Sequence, residues 1–120
     1  MKVLLIDDDS RCREALHTTI ERLGEFCVSF GSPRAAVGEF LRNPYDLVIT
    51  DLDMPEMDGI QVLRAVYSNR PGTRVVVVTG KDDEVTNQRI KRSGAYARLH
   101  KPINILDITR VIERVKQETD

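Results

Sequence analysis

The stretch KVLLIDDDS, residues 2–10, is an apolar run that ends abruptly in three consecutive aspartates. An apolar run of this length without polar alternation is typical of a strand that is buried on both faces. Two carboxylates about 5 Å apart repel by roughly 3 kcal/mol at an effective dielectric near 20. One side chain, Asp9 or Ser10, is enough to cap a following helix. At least two aspartates are left without this role, and they indicate that a positive charge binds at the end of this strand.

Four more short runs, rich in β-branched residues, follow along the chain at residues 26–30, 46–50, 74–79 and 96–100. Segments with the apolar spacing of helices separate them, and Gly, Pro and Asn mark the joins. Strict alternation of strands and helices predicts a parallel sheet with helices on both faces. The predicted fold class is therefore α/β, a five-stranded, doubly wound parallel sheet, and the length of 120 residues fits one domain.

Acidic and basic residues nearly balance, with 18 Lys and Arg against 19 Asp and Glu and a net charge of −1. This balance gives no electrostatic basis for binding nucleic acid, and no basic run indicates a membrane surface. No apolar run reaches membrane-spanning length. The opening MKVLLI begins like a signal peptide, but its apolar segment is short and runs straight into Asp7. We therefore expect the chain to stay in the cytoplasm and not to bind nucleic acid or membranes.

Polar side chains lie at the ends of four of the five predicted strands. Asp7 and Asp8 follow the first strand, and Asp51, Thr79 and Lys101 lie at the ends of the third, fourth and fifth. Parallel strands end at one edge of a sheet, and the ligands of such folds bind there. Clustered carboxylates at this edge are typical of a Mg²⁺ site. A lysine and a hydroxyl beside such an ion suit a phosphoryl group, which a carboxylate can accept.

Each of these residues also has an ordinary structural role when it is taken alone. Asp51 could begin a turn, and the segment DMPEMDG, residues 53–59, has the Pro and Gly of turn chemistry. This segment does not fit an EF-hand, because Pro55 and Glu56 stand where that loop needs a ligand and a glycine. The segment TGKDD, residues 79–83, lacks the Ser or Thr of a phosphate-binding P-loop. Because these residues lie at four strand ends that converge on one edge, a functional site is favoured over four unrelated structural roles.

Four segments of the chain together make a recognisable pattern: LLIDDD, VITDLDMPEMDG, VVVVTG and the Lys-Pro pair in LHKPI. In their order and approximate spacing they resemble the receiver domain of two-component response regulators, over the whole chain. The resemblance implies a flavodoxin-like strand order 2-1-3-4-5 and a receiver domain over residues 1–120. It also implies a signalling domain that is no enzyme, apart from catalysing its own Mg²⁺-dependent phosphorylation and dephosphorylation. The donor would be the phosphohistidine of a sensor histidine kinase or of a phosphotransfer protein.

The same resemblance implies roles for individual residues. Asp51 would be the phosphoryl acceptor, while Thr79 and Lys101 would hold phosphoryl oxygens and Lys101-Pro102 would be a cis peptide. The cofactor would be Mg²⁺, held by four residues: Asp8 and Asp51 directly, Asp7 nearby or through water, and Asp53 through its backbone carbonyl.

Similar domains usually carry Tyr or Phe three residues before the lysine, whereas this chain has Arg98. We expect Arg98 to stay turned outward, because burying an unpaired guanidinium costs several kcal/mol. Its expected partners are the acids at the start of the fourth helix: Asp82, Asp83 or Glu84. Two other departures, Asp53 and Lys81, are expected to face each other across the mouth of the site.

The fourth helical segment, residues 82–94, has only Val85 and Ile90 as apolar anchors. Because it is weakly anchored, we expect the surface of the fourth helix, fifth strand and fifth helix to bind the downstream output domain or protein. A phosphorylation-dependent dimer is a further alternative.

Two other functions remain as alternatives. Asp51-Leu52-Asp53 matches the DxD nucleophile motif of haloacid dehalogenase phosphatases, although those enzymes place their acid pair after the lysine and here Asp7 and Asp8 come first. The second alternative is a degenerate receiver that accepts no phosphate and acts only as a binding module.

Overall fold

The computed structural model describes residues 1–119 and shows strands and helices in strict alternation. The strands are β1 (Lys2–Ile6), β2 (Phe26–Phe30), β3 (Leu47–Asp51), β4 (Arg74–Thr79) and β5 (Ala97–His100). The helices are α1 (Ser10–Arg22), α2 (Pro33–Arg42), α3 (Gly59–Asn69), α4 (Glu84–Ser93) and α5 (Ile105–Thr119). Each predicted strand agrees with the observed one to within a residue at either end. Across residues 1–119, no helix combines the length and the apolar character that crossing a membrane requires.

The five strands form one parallel sheet in the order β2-β1-β3-β4-β5. This confirms the predicted α/β class, the doubly wound topology and the strand order 2-1-3-4-5. Parallel strands need crossover helices, which cover the sheet on both faces and account for the continuous apolar runs of the central strands. All strands end at the same edge, so this topology decides which loops meet.

Alternate residues of β1 belong to two separate hydrophobic cores. Val3 and Leu5 pack with side chains of α1 and α5 on one face of the sheet. Leu4 and Ile6 pack with α2, α3 and α4 on the other face. All four side chains are almost completely buried, and burying each aliphatic side chain stabilises the fold by about 1.5–3 kcal/mol. The two cores make β1 and β3 a rigid support for the loops at their ends.

Helix α4 is capped at both ends and buries two of its residues. Val85 is 72% exposed, and the buried residues of the helix are Thr86 and Ile90. The prediction that Val85 anchors the helix was therefore wrong, because the buried face follows the four-residue spacing from Thr86 to Ile90. The Asp83 carboxylate caps the N-terminus by accepting bonds from the N–H and the hydroxyl of Thr86, each at 2.8 Å. Gly94 ends the helix with a φ of 81°, in the left-handed region that glycine adopts freely.

Candidate functional site

The three segments that carry the predicted acidic residues and the lysine meet at the carboxyl edge of the sheet. Asp7, Asp8 and Asp51 each place a carboxylate oxygen within 4.8 Å of the other two. The Lys101 ammonium lies 3.2 Å from Asp51 Oδ2 and 3.4 Å from Asp7 Oδ2. Residues from β1, β3 and the end of β5 thus form one cluster of opposite charges.

The three consecutive aspartates after β1 have three different environments. Asp7 is 6% exposed, and its Oδ1 accepts a bond from the Asp9 N–H at 2.9 Å. Asp9, one of the two predicted candidates, is the N-cap of α1 and accepts from the N–H groups of Arg11 and Cys12 at 3.0 and 3.2 Å. These bonds, first that from Cys12, lower the pKa of Asp9. Asp8 is the exposed member of the cluster. Only Asp9 serves the helix, which leaves Asp7 and Asp8 for the site.

Asp51 is a buried carboxylate at the end of β3, with 8% of the residue exposed. Its Oδ1 accepts from the Leu52 N–H at 3.0 Å, and its Oδ2 faces Lys101. Burial raises the pKa of Asp51 to about 6, and Asp7 adds to this, although the Lys101 ammonium opposes it. The ionised carboxylate is therefore incompletely compensated by the protein, and additional positive charge at this point would stabilise it.

Burial disfavours the charged form of Lys101, but the carboxylates of Asp51 and Asp7 outweigh this effect and raise its pKa. The lysine is therefore an ammonium throughout the neutral range. The peptide between Lys101 and Pro102 is cis, as predicted. The Lys101 N–H donates to the Thr79 carbonyl at 3.1 Å, which joins the ends of β4 and β5.

Thr79 is 2% exposed at the end of β4, the strand next to β3. Asp51 is in register with Val78, so Thr79 lies one residue further along the same edge. The Thr79 hydroxyl oxygen accepts a bond from the Lys81 N–H at 3.1 Å. Its proton can still be donated to a group bound at the edge.

The Asp53 carboxylate lies outside the cluster of three aspartates and pairs with Lys81, Nζ to Oδ1, at 3.4 Å. This confirms that the two side chains face each other. Both are more than half exposed, and such a pair contributes about 0.2–1 kcal/mol. The predicted metal ligand at this position is the Asp53 backbone carbonyl, which stays a prediction.

Arg98 differs from the expectation in its partners. Its guanidinium donates to the side-chain oxygen of Asn87 and to the backbone carbonyl of Lys81. No ion pair joins Arg98 to an acid within residues 1–119. The predicted pairing with the acids at the start of α4 was therefore wrong, and Arg98 is half-buried against the α4 side of the sheet.

The three acids have other partners, which explains this difference. Asp83 caps α4, Glu84 accepts from the Gln88 amide at 2.9 Å, and Asp82 accepts from the Asn87 amide at 3.3 Å. These bonds join residues three to five positions apart, so they form at a smaller entropic cost than a contact with a distant strand. Arg98 then binds the neutral oxygens that remain within its reach.

Gly59 is a site residue that the sequence reasoning assigned only to a turn. A Cβ at this position would lie 2.4 Å from the Asp51 carbonyl oxygen, because the start of α3 packs directly on the backbone of Asp51 and Leu52. The Gly59 N–H also donates to the Leu52 carbonyl at 2.8 Å. The signal for it is the capping box of Asp58 and Gln61, which places a helix start at Gly59.

The carboxylate cluster fits a small divalent cation. Mg²⁺ binds oxygen at about 2.0–2.1 Å, so two ligands of one ion lie no more than roughly 4.2 Å apart. Small side-chain adjustments bring three oxygens that are within 4.8 Å of one another into that range. The exposed position of Asp8 leaves room for the waters that Mg²⁺ retains.

We expect the stability of the metal-free protein to carry a pH dependence from Asp51. The pKa of Asp51 is raised to about 6 in the folded state. Its contribution to the free energy of unfolding, on the order of 3 kcal/mol, is therefore fully present below about pH 4 and is lost as the pH rises through 6. Asp51→Asn removes this loss. The difference in free energy of unfolding between Asp51→Asn and the parent, measured in urea with chelator, should shift in favour of the variant from pH 4 to pH 8.

The exposed Asp53→Asn serves as control, since its carboxylate lies outside the cluster. An Asp51→Asn difference that stays constant across this pH range would contradict the assigned environment of Asp51.

Comparison with known proteins gives a consistent result. The family model of the response regulator receiver domain matches residues 3–113. The chain is 34% identical over 119 residues to the probable chemotaxis protein CheY of Rhizobium etli, covering 96% of this chain and 92% of that protein. It is 31% identical over 110 residues to the transcriptional regulatory protein QseB of Haemophilus influenzae, covering 90% of this chain. It spans 49% of QseB and 24% of the transcriptional regulator NtrC of Proteus hauseri.

Solved structures agree in fold along nearly the whole chain. A response regulator receiver domain protein from Clostridium thermocellum superposes with a TM-score of 0.91 at 28% identity, covering 98% of this chain and 95% of that one. The chemotaxis protein CheY4 of Vibrio cholerae superposes with a TM-score of 0.87 at 28% identity, covering 95% of this chain and 97% of that one. With sequence, fold and the acidic cluster in agreement, this chain belongs to the family of response regulator receiver domains.

Proposed function

We propose that this chain accepts a phosphoryl group on Asp51, with Mg²⁺, from the phosphohistidine of a sensor histidine kinase or of a phosphotransfer protein. The observation that carries the proposal is the state of Asp51, a buried carboxylate with a raised pKa and one oxygen on the Lys101 ammonium. Such a carboxylate is short of positive charge and lies in a cluster of carboxylates that could hold a cation. Both conditions suit a nucleophile that works beside a divalent ion.

Asp7, Asp8 and Asp51 would hold the ion, with the Asp53 carbonyl as a further ligand. When bound there, Mg²⁺ would supply positive charge that offsets the negative charge of the phosphoryl oxygens. An Asp51 oxygen forms a bond to phosphorus while the bond from phosphorus to the histidine nitrogen breaks, and the imidazole leaves with the electron pair. Lys101 stabilises the negative charge on the transferred group.

Thr79 is proposed to donate its hydroxyl proton to a phosphoryl oxygen. The same hydroxyl oxygen accepts from the Lys81 N–H, so a shift of Thr79 toward the phosphoryl group would pull on the β4–α4 loop. This loop leads into the weakly packed α4. We therefore propose that phosphorylation changes the surface of α4, β5 and α5, and that the output domain or protein binds there.

Incubation with acetyl phosphate and Mg²⁺ tests the proposal directly. We expect the mass of one phosphoryl group to be added to Asp51, and the adduct to be labile at alkaline pH as acyl phosphates are. Continuous release of phosphate from a phosphate monoester would instead support the phosphatase alternative. Absence of an adduct, from acetyl phosphate and from phosphorylated kinases alike, would leave the binding-module alternative and overturn the proposal.

The pair of Lys81 and Asp53 is expected to lengthen the life of the acyl phosphate. The two side chains lie 3.4 Å apart at the mouth of the site, where they restrict the approach of water. Lys81→Gln and Asp53→Asn should each shorten the half-life by about threefold, in keeping with the small energy of an exposed pair. The measurement is loss of phosphoprotein after the donor is removed.

Lys91→Gln, which neutralises an exposed lysine of α4, is the matched control and should leave the half-life unchanged. Equal half-lives in the parent and in both test variants would remove the role assigned to the pair.

The class of partner is proposed at the level of the family. Transcriptional regulators such as NtrC and AtoC match this chain over about a quarter of their length, while CheY and CpdR match over 92% and 95%. The relatives thus include proteins much longer than this chain and proteins of nearly its length, which supports output through an attached domain in the first case and through a separate protein in the second. A phosphorylation-dependent dimer and a cytoplasmic location stay predictions.

A further inference from the structure

Arg98 in β5 joins two parts of the chain that belong to α4 and to the phosphoryl site. Nη1 donates to the side-chain oxygen of Asn87 in α4, and Nη2 donates to the backbone carbonyl of Lys81 in the β4–α4 loop. Nε is buried and lacks a hydrogen-bond partner within residues 1–119. A guanidinium carries its donors in a rigid planar fork, so one side chain can fix two oxygens at once. A lysine ammonium, as a point charge, cannot reproduce this geometry.

Lys81 is held at three of its atoms. Its N–H donates to the Thr79 hydroxyl oxygen at 3.1 Å, its carbonyl accepts from Arg98, and its Nζ lies 3.4 Å from Asp53 Oδ1. The first and third contacts lie within the site, while the second comes from the edge strand. The Arg98 bond therefore limits the backbone positions from which the Lys81 ammonium can reach Asp53.

We propose that Arg98 is a positioning residue that fixes the backbone of Lys81, keeps the Lys81 ammonium over Asp53, and thereby slows hydrolysis of the acyl phosphate. This inference rests on the proposed acceptance of a phosphoryl group by Asp51. In hydrolysis, water attacks phosphorus, the bond from phosphorus to the Asp51 oxygen breaks, and inorganic phosphate leaves with the water proton passing to solvent. Arg98 takes no part in these bonds and acts through Lys81.

The same fork couples the loop to α4. The Lys81 carbonyl and the Asn87 side chain share one guanidinium, so they move together when either is displaced. A shift of Thr79 on phosphorylation would reach Lys81 through its N–H, and α4 through Arg98. In this chain the coupling therefore passes through the hydrogen bonds of one guanidinium.

Arg98→Ala and Arg98→Lys test the role, with the exposed Arg110→Ala of α5 as the charge-matched control. Both Arg98 variants should shorten the acyl-phosphate half-life by about threefold, and Arg110→Ala should not. The double variant Arg98→Ala with Lys81→Gln should match Lys81→Gln alone, because both changes remove the same restriction. Melting temperatures verify that Arg98→Lys, which keeps the charge, is folded.

An unchanged half-life in both Arg98 variants, or fully additive effects in the double variant, would overturn the proposal. A second measurement needs no phosphate. The Lys81 N–H donates to Thr79, and loss of the Arg98 bond to the Lys81 carbonyl loosens the same backbone segment. Amide hydrogen exchange at Lys81 in the unphosphorylated protein should therefore speed up by about fivefold in Arg98→Ala and Arg98→Lys. Exchange equal to that of the parent would overturn the positioning role by itself.

The two measurements separate failure of this inference from failure of the proposed function. If the parent accepts no phosphoryl group but Lys81 exchange rises in the variants, then Arg98 positions Lys81 and the proposed chemistry is wrong. If the parent is phosphorylated and Lys81 exchange is unchanged, then the chemistry stands and the role of Arg98 is wrong.

Discussion

Asp51→Asn should incorporate no phosphoryl group from acetyl phosphate or from a kinase, and should keep the fold. The substitution preserves shape but replaces a carboxylate oxygen with an amide, which is a poor nucleophile and a weaker ligand for a divalent cation. The buried position of Asp51 tolerates the amide, because burial already disfavours the charged form. Intact-mass measurement after incubation with donor and Mg²⁺ gives the result directly.

The matched control for this variant is Asp53→Asn, two residues along the chain. The Asp53 carboxylate pairs with Lys81 outside the cluster, so its loss should leave incorporation intact and change only the half-life. Incorporation into Asp51→Asn at the rate of the parent would place the acceptor on another carboxylate of the cluster, Asp7 or Asp8. That result would refute the assignment of Asp51.

Gly59→Ala should be strongly destabilising, although glycine to alanine usually favours the start of a helix. The added Cβ would lie 2.4 Å from the Asp51 carbonyl oxygen and 3.0 Å from the Leu52 Cα. Both are backbone atoms of β3 and its continuation, so the strand end and α3 must separate to admit a methyl group. Overpacking of this kind costs typically 1–3 kcal/mol, and each kcal/mol lowers the melting temperature of a domain of this size by roughly 4 °C.

The displaced backbone carries Asp51 itself, so Gly59→Ala should also slow phosphorylation in the protein that remains folded. Gly72→Ala is the control, since a Cβ there meets no atom within 4 Å. Removing a flexible glycine from an open turn is neutral or stabilises by up to about 1 kcal/mol. A melting temperature for Gly59→Ala equal to that of Gly72→Ala would show that α3 is not packed on the acceptor strand as described.

The sequence by itself determined the architecture and the main side chains of the site. Strand and helix periods are local properties, and uninterrupted apolar runs such as those of β1 and β4 occur where a strand is covered on both faces. Once the sheet was known to be parallel, the strand ends had to share one edge. Asp7, Asp8, Asp51 and Lys101 could therefore be brought together before any distance was known. The sequence also limited the cap of α1 to Asp9 or Ser10, and the structure selects Asp9.

Only the tertiary structure decided which hydrogen bonds form among neighbouring polar groups. Three acids at the start of α4 were candidate partners for Arg98, but each accepts a hydrogen bond from a residue close to it in sequence. The guanidinium therefore binds two neutral oxygens. Such a choice depends on differences of about 1 kcal/mol between competing hydrogen bonds. A linear pattern of residue types does not encode differences of that size.

The requirement for glycine at position 59 and the raised pKa of Asp51 have the same origin. Each depends on how closely elements distant in sequence approach: α3 against the backbone of β3 in one case, and β1 and the end of β5 around a buried carboxylate in the other. Periodicity predicts which elements form and which of their ends meet. Contact distances and desolvation arise only when those elements pack, and they decide the chemistry of the site.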